Sequence, residues 1–337
     1  MEKILVLMTP EEDGKPGRPA LEALAAAKDL GGSDPVVGLW GAEVQGAADA
    51  IAGNGSAFYG VAGPDFAAPR YATDAAAAEA IVRAAGATLV LAPGTSRLAR
   101  LWGGLAHRAG GRADTHVTSL RGGPDGIVAG RWYYRQRLEV LFTRTSRPWF
   151  LALEPGARAP AVAAPGRARV EFLSPSLPDA ARRTRVEGVR VPEGVGPTIR
   201  PDAPLLFVAG AGWTKKQPCG RVRADEAGRL ILEFLGKTRA SLGSSKSLVD
   251  QRGEGQPVLP FLTHLNQVGQ TGSTPRHPKG LATCCHGEEP HVVGWRFVPQ
   301  RRAVNLDPNC GWAKGKADVV YVADAFEVME KVNALLS

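Results

Sequence analysis

Short apolar runs and alanine-rich stretches alternate along the first part of the chain. The apolar runs have the length of buried strands and lie at residues 3–8, 35–40 and 88–92. The alanine-rich stretches between them are typical of helices and lie at residues 19–30, 42–52 and 74–85. This order predicts a parallel sheet covered by helices on both faces. Two later segments, 115–120 and 127–153, are richer in aromatic and β-branched residues and predict antiparallel strands at the edge of that sheet.

The composition changes after this region, and the alternation then resumes. Residues 154–204 are rich in proline, glycine, alanine and arginine, which predicts a linker along a surface with a short strand near 170–173. Beyond it, strand-like runs lead into helical segments at 224–239 and 325–336. We therefore predict an N-terminal α/β domain over 1–155, a linker over 156–203 and a C-terminal cofactor-binding domain over 204–337. Both domains are expected to be doubly wound parallel-sheet α/β domains, the second of flavodoxin or Rossmann type.

Composition and charge exclude several classes of protein. The chain has 337 residues and four cysteines, so each domain can bury a core without disulfide bonds. No apolar run approaches the roughly 20 residues of a membrane helix, so we expect no membrane insertion. The net charge of +8 comes from scattered basic residues without interleaved aromatic residues, which argues against nucleic-acid binding. The first residues enter a strand directly, without a leader pattern, and this predicts a cytoplasmic protein.

Candidate chemistry lies in loops that follow strands of the second domain, because ligands of open parallel sheets bind beyond the carboxyl ends of the strands. These loops lie at residues 209–220, 243–250, 266–272, 283–291 and 305–311. The sharpest signal is Gln267-Val-Gly-Gln-Thr-Gly272. Its glycines allow the backbone to approach a flat ligand, and Gln270 and Thr271 offer polar groups to a ring. A tight surface turn explains this loop about equally well.

Four further segments extend the pattern of that loop. They are Gly243-Ser-Ser-Lys-Ser-Leu-Val-Asp250, Gly287 with His291-Val-Val-Gly294, Ala303-Val-Asn-Leu-Asp-Pro308 and Val322-Ala-Asp-Ala-Phe-Glu-Val328. In this order the five blocks resemble the electron transfer flavoprotein alpha subunit family. The first domain resembles that family more loosely, in its opening strand, its Leu21 to Leu24 helix and its length.

The resemblance implies an electron carrier, or a subunit of an oxidoreductase complex, rather than a stand-alone catalyst. It implies that the second domain binds FAD, that a beta-type subunit is the partner, and that electrons come from a flavin-dependent dehydrogenase. Ser245, Lys246, Thr271 and His291 match residues beside the flavin ring, and no catalytic acid, base or nucleophile is expected. The cofactor-binding residues implied by the resemblance are Ser245, Lys246, Val268, Gly269, Gln270, Thr271, His286, Gly287, His291, Asn305 and Asp324.

The sequence departs from the family pattern around the predicted phosphate site. Gly212 occupies the place of an arginine that pairs with the diphosphate in relatives. Lys215 or Lys216 is a candidate substitute, although a lysine lacks the bidentate fork of arginine. Glu288 and Glu289 lie in a loop that is small and neutral in relatives, where they would repel phosphate.

All four cysteines lie in loops predicted to face the cofactor, three of which depart from the family pattern. They are Cys219, Cys284, Cys285 and Cys310. If the loops meet at one edge of the sheet, four thiolates suit an iron–sulfur cluster or zinc, although no CxxC spacing is present. Two alternatives to an FAD carrier therefore stay open at this point. One is an electron-transfer subunit of a larger oxidoreductase complex with a cysteine-ligated iron–sulfur cluster, in place of FAD or beside it. The other is a structural subunit of such a complex that binds no cofactor.

Overall fold

The computed structural model describes residues 2–123, 126–133, 138–188, 198–200, 203–250, 257–269, 277–283, 298–309 and 317–336. By its contacts the chain divides into two units, Met1–Val189 and Arg190–Ser337. Each unit is an α/β structure built on one sheet, as the sequence predicts. The boundaries predicted around the linker at 156–203 stay a prediction. Within the described ranges, no helix is long and apolar enough to cross a membrane.

The first unit is built on a nine-stranded mixed sheet. Its strands are β1 (Ile4–Met8), β2 (Val36–Gly41), β3 (Ala57–Ala62), β4 (Leu89–Pro93), β5 (Arg112–Gly123), β6 (Gly126–Tyr133), β7 (Leu138–Phe142), β8 (Trp149–Leu153) and β9 (Val170–Phe172). They lie in the order β7-β6-β5-β8-β4-β1-β2-β3-β9. The β5–β6 and β6–β7 pairs are antiparallel, which confirms the predicted antiparallel edge. The other pairs are parallel.

Helices cover both faces of this sheet. They are α1 (Arg18–Gly31), α2 (Gln45–Ala50), α3 (Tyr71–Ala85) and α4 (Ser96–Arg108). Helix α1 has a proline in its first turn, where the missing N–H costs nothing, and it ends at Gly32 in the left-handed region with φ 61°. Buried Leu24 of α1 packs into one core cluster, and Trp102 of α4 packs into a second. The apolar strands are therefore buried on both sides, which explains their continuous hydrophobic runs.

A buried ionic cluster joins α3 and α4 above the carboxyl end of β2. The Asp74 side chain has no solvent exposure, and its carboxylate accepts hydrogen bonds from the Trp40 indole at 2.9 Å and from Arg97 at 2.7 and 3.1 Å. Arg100 also donates to Asp74, at 3.1 Å. Burial of a carboxylate is costly unless it is paired and hydrogen-bonded, and here each of its two oxygens has partners.

Part of the predicted linker packs on the first unit. The strand β9 pairs in parallel with β3, and it lies where the sequence predicts a short strand. Upstream of β9, the Ala168 N–H donates to the Asp49 carboxylate at 2.9 Å, and the Gly53 N–H donates to the Ala164 carbonyl at 2.9 Å. The hydrogen bond from Ala168 holds the pKa of Asp49 below its ordinary value, with a smaller contribution from Gln45. These bonds hold the chain against α2 and the turn that follows it.

The second unit is built on a five-stranded parallel sheet. Its strands are β10 (Leu205–Ala209), β11 (Ser241–Ser244), β12 (Lys279–Thr283), β13 (Gln300–Asn305) and β14 (Val319–Val322). Among the described residues, its α-helices are α5 (Ala224–Thr238), α6 (Lys246–Asp250) and α7 (Ala325–Leu335). The strand order is β11-β10-β12-β13-β14. In chain order this is 2-1-3-4-5, the flavodoxin-like arrangement, in which the direction of winding reverses between the first and third strands.

The core of the second unit explains which sequence segments form its elements. Phe234 of α5 and Met329 of α7 pack with Phe207 on one face of the sheet, and Leu206 and Ala282 pack on the other. The helices predicted at 224–239 and 325–336 are confirmed within a residue or two. Asp324 caps α7 by accepting a hydrogen bond from the Phe326 N–H at 2.8 Å.

Candidate cofactor site

Hydrogen bonds join the carboxyl ends of three neighbouring strands in the second unit. The Ser245 N–H, just after β11, donates to the Ala209 carbonyl at 2.9 Å, and the Gly210 N–H donates to the Thr283 carbonyl at 2.8 Å. The Thr283 hydroxyl also donates to the Val208 carbonyl at 3.3 Å. The strand order reverses between β10 and β12, and in open α/β sheets this is where ligands bind.

Ser245 and Lys246 lie at the start of α6 on one side of this reversal. Ser245 is 2% exposed, and its Oγ accepts a hydrogen bond from the Leu248 N–H at 3.3 Å. Within the described ranges its hydroxyl proton has no acceptor, so the group is available to donate. The Lys246 ammonium lies 3.8 Å from the Asp250 carboxylate one turn later and is about half exposed. The start of the short helix thus carries a hydroxyl and a cation at consecutive positions.

The Gln267-Val268-Gly269 segment lies directly against the end of β11. Gln267 forms a parallel bridge with Ser244, and the Val268 N–H donates to the Ser244 carbonyl at 3.0 Å. This contact requires glycine at 243, because a Cβ there would lie 2.5 Å from a Val268 methyl group. Gly269 has φ 136°, which other residues rarely adopt. The structure therefore places Val268 and Gly269 against the end of β11, where Ser245 follows. Their role beside a flavin ring stays a prediction.

A polar pocket of about 230 Å³ opens on the other side, between the loop after β10 and the start of α7. Its lining comprises Gly212, Lys215, Lys216, Gln217, Pro218, Asn305, Leu306, Asp324 and Ala325. Asn305 is 5% exposed, and its amide donates to the Asp307 carbonyl at 2.9 Å. The pocket lining therefore combines two lysines, two amide side chains and a carboxylate.

Gln217 holds the loop that carries the two lysines. Its side-chain amide donates to the Gly212 carbonyl at 2.8 Å and to the Lys215 carbonyl at 2.6 Å. A turn follows, in which the Gln217 N–H donates to the Arg221 carbonyl at 2.9 Å. The loop is thereby folded back on itself, with Lys215 and Lys216 on the pocket wall beside Gly212.

A third cation lies near this pocket. Arg223 hydrogen-bonds the Glu226 carboxylate at 2.6 Å, and its guanidinium lies 4.3 Å from the centre of the Phe326 ring. The hydrogen bond to Glu226 raises the pKa of Arg223, with smaller contributions from Asp324 and Cys219. Because Arg223 is paired with Glu226 and Asp324 also lines the pocket, the unbalanced positive charge at the pocket comes from Lys215 and Lys216, and it suits a phosphate-bearing ligand.

Comparison with known proteins decides the family. Residues 4–193 match the model of the electron transfer flavoprotein domain, and this range is more than half of the 337-residue chain. The chain belongs to the electron transfer flavoprotein family. The match covers the first unit, whereas the resemblance seen in the sequence rests mainly on residues 243–328, so the two lines of support come from different parts of the chain. Comparison with curated proteins gave no match.

Membership of this family supports electron transport by a flavoprotein as the class of function. The pocket fits one end of a flavin dinucleotide, because ammonium groups suit a diphosphate and an amide with a carboxylate suits a ribose and base. It is too small for a whole dinucleotide, and the Ser245 side of the strand reversal offers the neighbouring surface.

Several predicted site residues lie outside the described residues. They are Gln270, Thr271, His286, Gly287, His291, Cys284, Cys285 and Cys310, together with Glu288 and Glu289. Cys219 is described and is an exposed free thiol. In the described ranges, no group of three or more His, Cys, Asp and Glu side chains is placed to hold a metal ion. The iron–sulfur alternative stays a prediction.

Two residues of the site had no role in the sequence-based site prediction. Thr283 joins β12 to β10 through its backbone and its hydroxyl. Gln217 shapes the lysine loop through a side-chain amide that reaches two backbone carbonyls. Neither contact can be recognised in the sequence as a periodicity or a motif, because each depends on where separate strand ends meet in the fold. For Thr283, the only available signal was its position at the end of a predicted strand.

Proposed function

We propose that this chain is an alpha-type electron transfer flavoprotein subunit that binds FAD in its second unit. In this role it accepts electrons from a flavin-dependent dehydrogenase and passes them on. The observation that supports this best is the pairing of two surfaces at the strand reversal. Ser245 and Gly269 lie on one side, and the pocket with Lys215, Lys216 and Asn305 lies on the other. The bound flavin would supply the electron chemistry, and the protein would supply position and charge.

On the ring side, the chain offers groups that orient a flat polar ring. The Ser245 hydroxyl is fixed by its bond from Leu248 and keeps a proton to donate. Because Gly269 has no side chain, the backbone at this position can approach the ring closely. The Lys246 ammonium adds positive charge nearby, which favours negative charge on a neighbouring group. Thr271 and His291 complete this side in the proposal.

On the nucleotide side, Lys215 and Lys216 would neutralise the diphosphate in place of the arginine that Gly212 replaces. A lysine acts as a point charge and cannot form the bidentate contact that an arginine makes with a diphosphate. Two lysines on one folded loop would offset the loss of that contact. Asn305 and Asp324 would hydrogen-bond the adenosine. A beta-type subunit and a dehydrogenase are the partners that we propose.

The test is to identify the cofactor in the purified full-length chain, co-expressed with its beta-type subunit. After denaturation, the released flavin is separated by chromatography, and iron and acid-labile sulfide are measured in the same sample. We expect one FAD per chain and no iron. Stoichiometric iron and sulfide without flavin would support the cluster alternative instead. A complex without any cofactor would support a structural subunit.

A further inference from the structure

One guanidinium group lies close to the polar pocket but outside its lining. It belongs to Arg223, the residue before α5, and its central carbon lies 4.3 Å from the centre of the Phe326 ring. Phe326 lies in the first turn of α7, where its N–H donates to the carboxylate of Asp324 in the pocket lining. Besides the hydrogen bond to Glu226, the nearby charge of Asp324 raises the pKa of Arg223. Arg223 therefore lies within electrostatic range of the pocket.

The loop that carries Lys215 and Lys216 also approaches Arg223. It continues through Pro218, which lines the pocket, to Cys219, which lies within electrostatic range of the guanidinium. Arg223 thus adjoins both the lysine loop and the start of α7, the two elements between which the pocket opens. A ligand that fills the pocket would lie beside the guanidinium.

Glu226 binds only one edge of that guanidinium. Nε of Arg223 donates to one carboxylate oxygen at 2.6 Å, and Nη2 donates to the other. In the part of the chain that the structure describes, Nη1 has no acceptor, and the side chain is 33% exposed. Nη1 and the second proton of Nη2 therefore present a parallel pair of N–H groups on the other edge. Because Glu226 and the Phe326 ring already hold the plane of the group, a ligand that binds there needs to order it little further.

This edge supplies a kind of contact that the lysine loop cannot make. Gly212 stands where relatives have an arginine, and the two lysines of the loop carry charge without a planar fork. A guanidinium that enters from the start of α5 offers two parallel hydrogen bonds to phosphate oxygens from a different element of the fold.

We propose that Arg223 recognises a phosphate group of the ligand in the polar pocket. Its Nη1 and Nη2 would donate to two phosphate oxygens, while Nε and Nη2 stay bonded to Glu226. The identity of this ligand as FAD rests on the proposed function, whereas the contact between Arg223 and a phosphate does not.

The test compares binding of ADP and of adenosine to full-length variants by calorimetric titration, after removal of any copurified flavin. Arg223→Gln keeps a planar amide beside Phe326 and removes the charge and the paired N–H groups. We expect this variant to bind ADP roughly tenfold more weakly or worse, and to bind adenosine within about twofold of wild type, because only ADP carries phosphate. Arg229→Gln is the matched control, since it breaks an exposed ion pair with Glu233 on the same helix, and it should bind ADP as wild type does.

Glu226→Gln separates phosphate recognition from a purely structural role of the ion pair. This variant breaks the same pair but keeps Arg223, and it removes a negative charge near the phosphate. We therefore expect it to bind ADP at least as tightly as wild type. Arg223→Lys keeps the charge without the planar fork and should bind ADP several-fold more weakly than wild type.

Four results would overturn the inference. The first is unchanged ADP affinity in Arg223→Gln, and the second is the absence of ADP binding in the wild type. The third is an equal loss of affinity for ADP and adenosine in Arg223→Gln. The fourth is an equal loss of ADP affinity in Arg223→Gln and Glu226→Gln. Either of the last two would show that Arg223 only maintains the structure.

The flavin content of the purified wild-type complex separates this inference from the proposed function. A complex that lacks flavin, together with the phosphate-specific loss in Arg223→Gln, would contradict FAD binding and still support Arg223 as a phosphate ligand. One FAD per chain, together with unchanged ADP affinity in Arg223→Gln, would do the reverse.

Discussion

The indole Nε1 of Trp213 donates a hydrogen bond of 2.9 Å to Oγ1 of Thr283, across the point where the strand order of the second sheet reverses. Trp213 is fully buried, and its ring packs edge-on against Phe326 of α7, with ring centres 4.6 Å apart. A single side chain therefore connects the loop after β10, the end of β12 and the first turn of α7. These are the elements that border the candidate cofactor site.

Trp213 should be among the most sensitive positions of the second unit. Trp213→Ala removes a buried ring and is expected to lower the free energy of unfolding by about 3–5 kcal/mol. Trp213→Phe keeps much of the ring and loses the hydrogen bond to Thr283, so we expect a cost of roughly 1–2 kcal/mol. Urea unfolding followed by far-ultraviolet circular dichroism measures both. Equal costs for the two variants would show that ring packing does not contribute as described.

The two pocket lysines should control binding of the nucleotide end of the cofactor. ADP is the probe, because it carries a diphosphate and an adenosine without the flavin. The double variant Lys215→Ala with Lys216→Ala is expected to bind ADP roughly tenfold more weakly and with less salt dependence, because two charge-assisted contacts are lost. Calorimetric titration of the full-length chain measures this.

Lys331→Ala is the control for the lysine experiment, since this exposed lysine of α7 does not line the pocket. It should bind ADP as wild type does. If the double variant and the control bind ADP equally well, the pocket is not a diphosphate site.

Asp74 should contribute strongly to the stability of the first unit. Asp74→Asn keeps the shape of the side chain but leaves Arg97, which is 17% exposed, without its countercharge. Loss of one partner from a buried pair costs about 3–5 kcal/mol, and denaturant unfolding measures the effect. Asp34→Asn is the control, because the Asp34 and Lys28 side chains are 40% and 34% exposed, and loss of this partly solvated pair should change stability by less than about 1 kcal/mol. Similar effects of the two substitutions would refute the role of burial.

His116 should titrate at a higher pH than an ordinary histidine. Its Nδ1 lies 2.9 Å from the Glu154 carboxylate, and this hydrogen bond raises the pKa of His116 above 6.5. Since the folded state favours the protonated form, the stabilising contribution is present below pH 6.5 and is lost as pH rises through the raised pKa. The side chain is 65% exposed, so this contribution is small, and NMR titration of the imidazole is the appropriate measurement.

Glu154→Gln should bring the titration midpoint of His116 down towards 6.5. Glu171→Gln on β9 is a matched control and should leave the midpoint where it is in the wild type. A wild-type midpoint at or below 6.5 would contradict the described pairing.

Much of the fold could be predicted from the sequence, because continuous apolar strands and alanine-rich helices leave strong periodic signals. The helix of α5 and the antiparallel strands after β5 are examples. The course of residues 156–188 could not be predicted in the same way. Its contacts, such as that between Ala168 and Asp49, join residues more than 100 positions apart and leave no local pattern.

The location of part of the candidate site could be predicted. Asn305 and Asp324 were singled out through the family pattern, and both line the polar pocket. Their role in binding a cofactor stays a prediction. The tie between Trp213 and Thr283 was not predictable, because it requires the register of β10 against β12. Ser245 was singled out through the family pattern, and it follows the end of β11. Its contact with a flavin ring stays a prediction.

The central claim is that this chain carries a flavin at the carboxyl edge of its second sheet. Its most direct test is the absorption spectrum of the purified full-length complex, recorded during stepwise anaerobic reduction. We predict the two visible bands of an oxidised flavin, which bleach on reduction with about one flavin per chain. A spectrum without flavin bands, or one with only a broad iron–sulfur absorbance, would contradict the account.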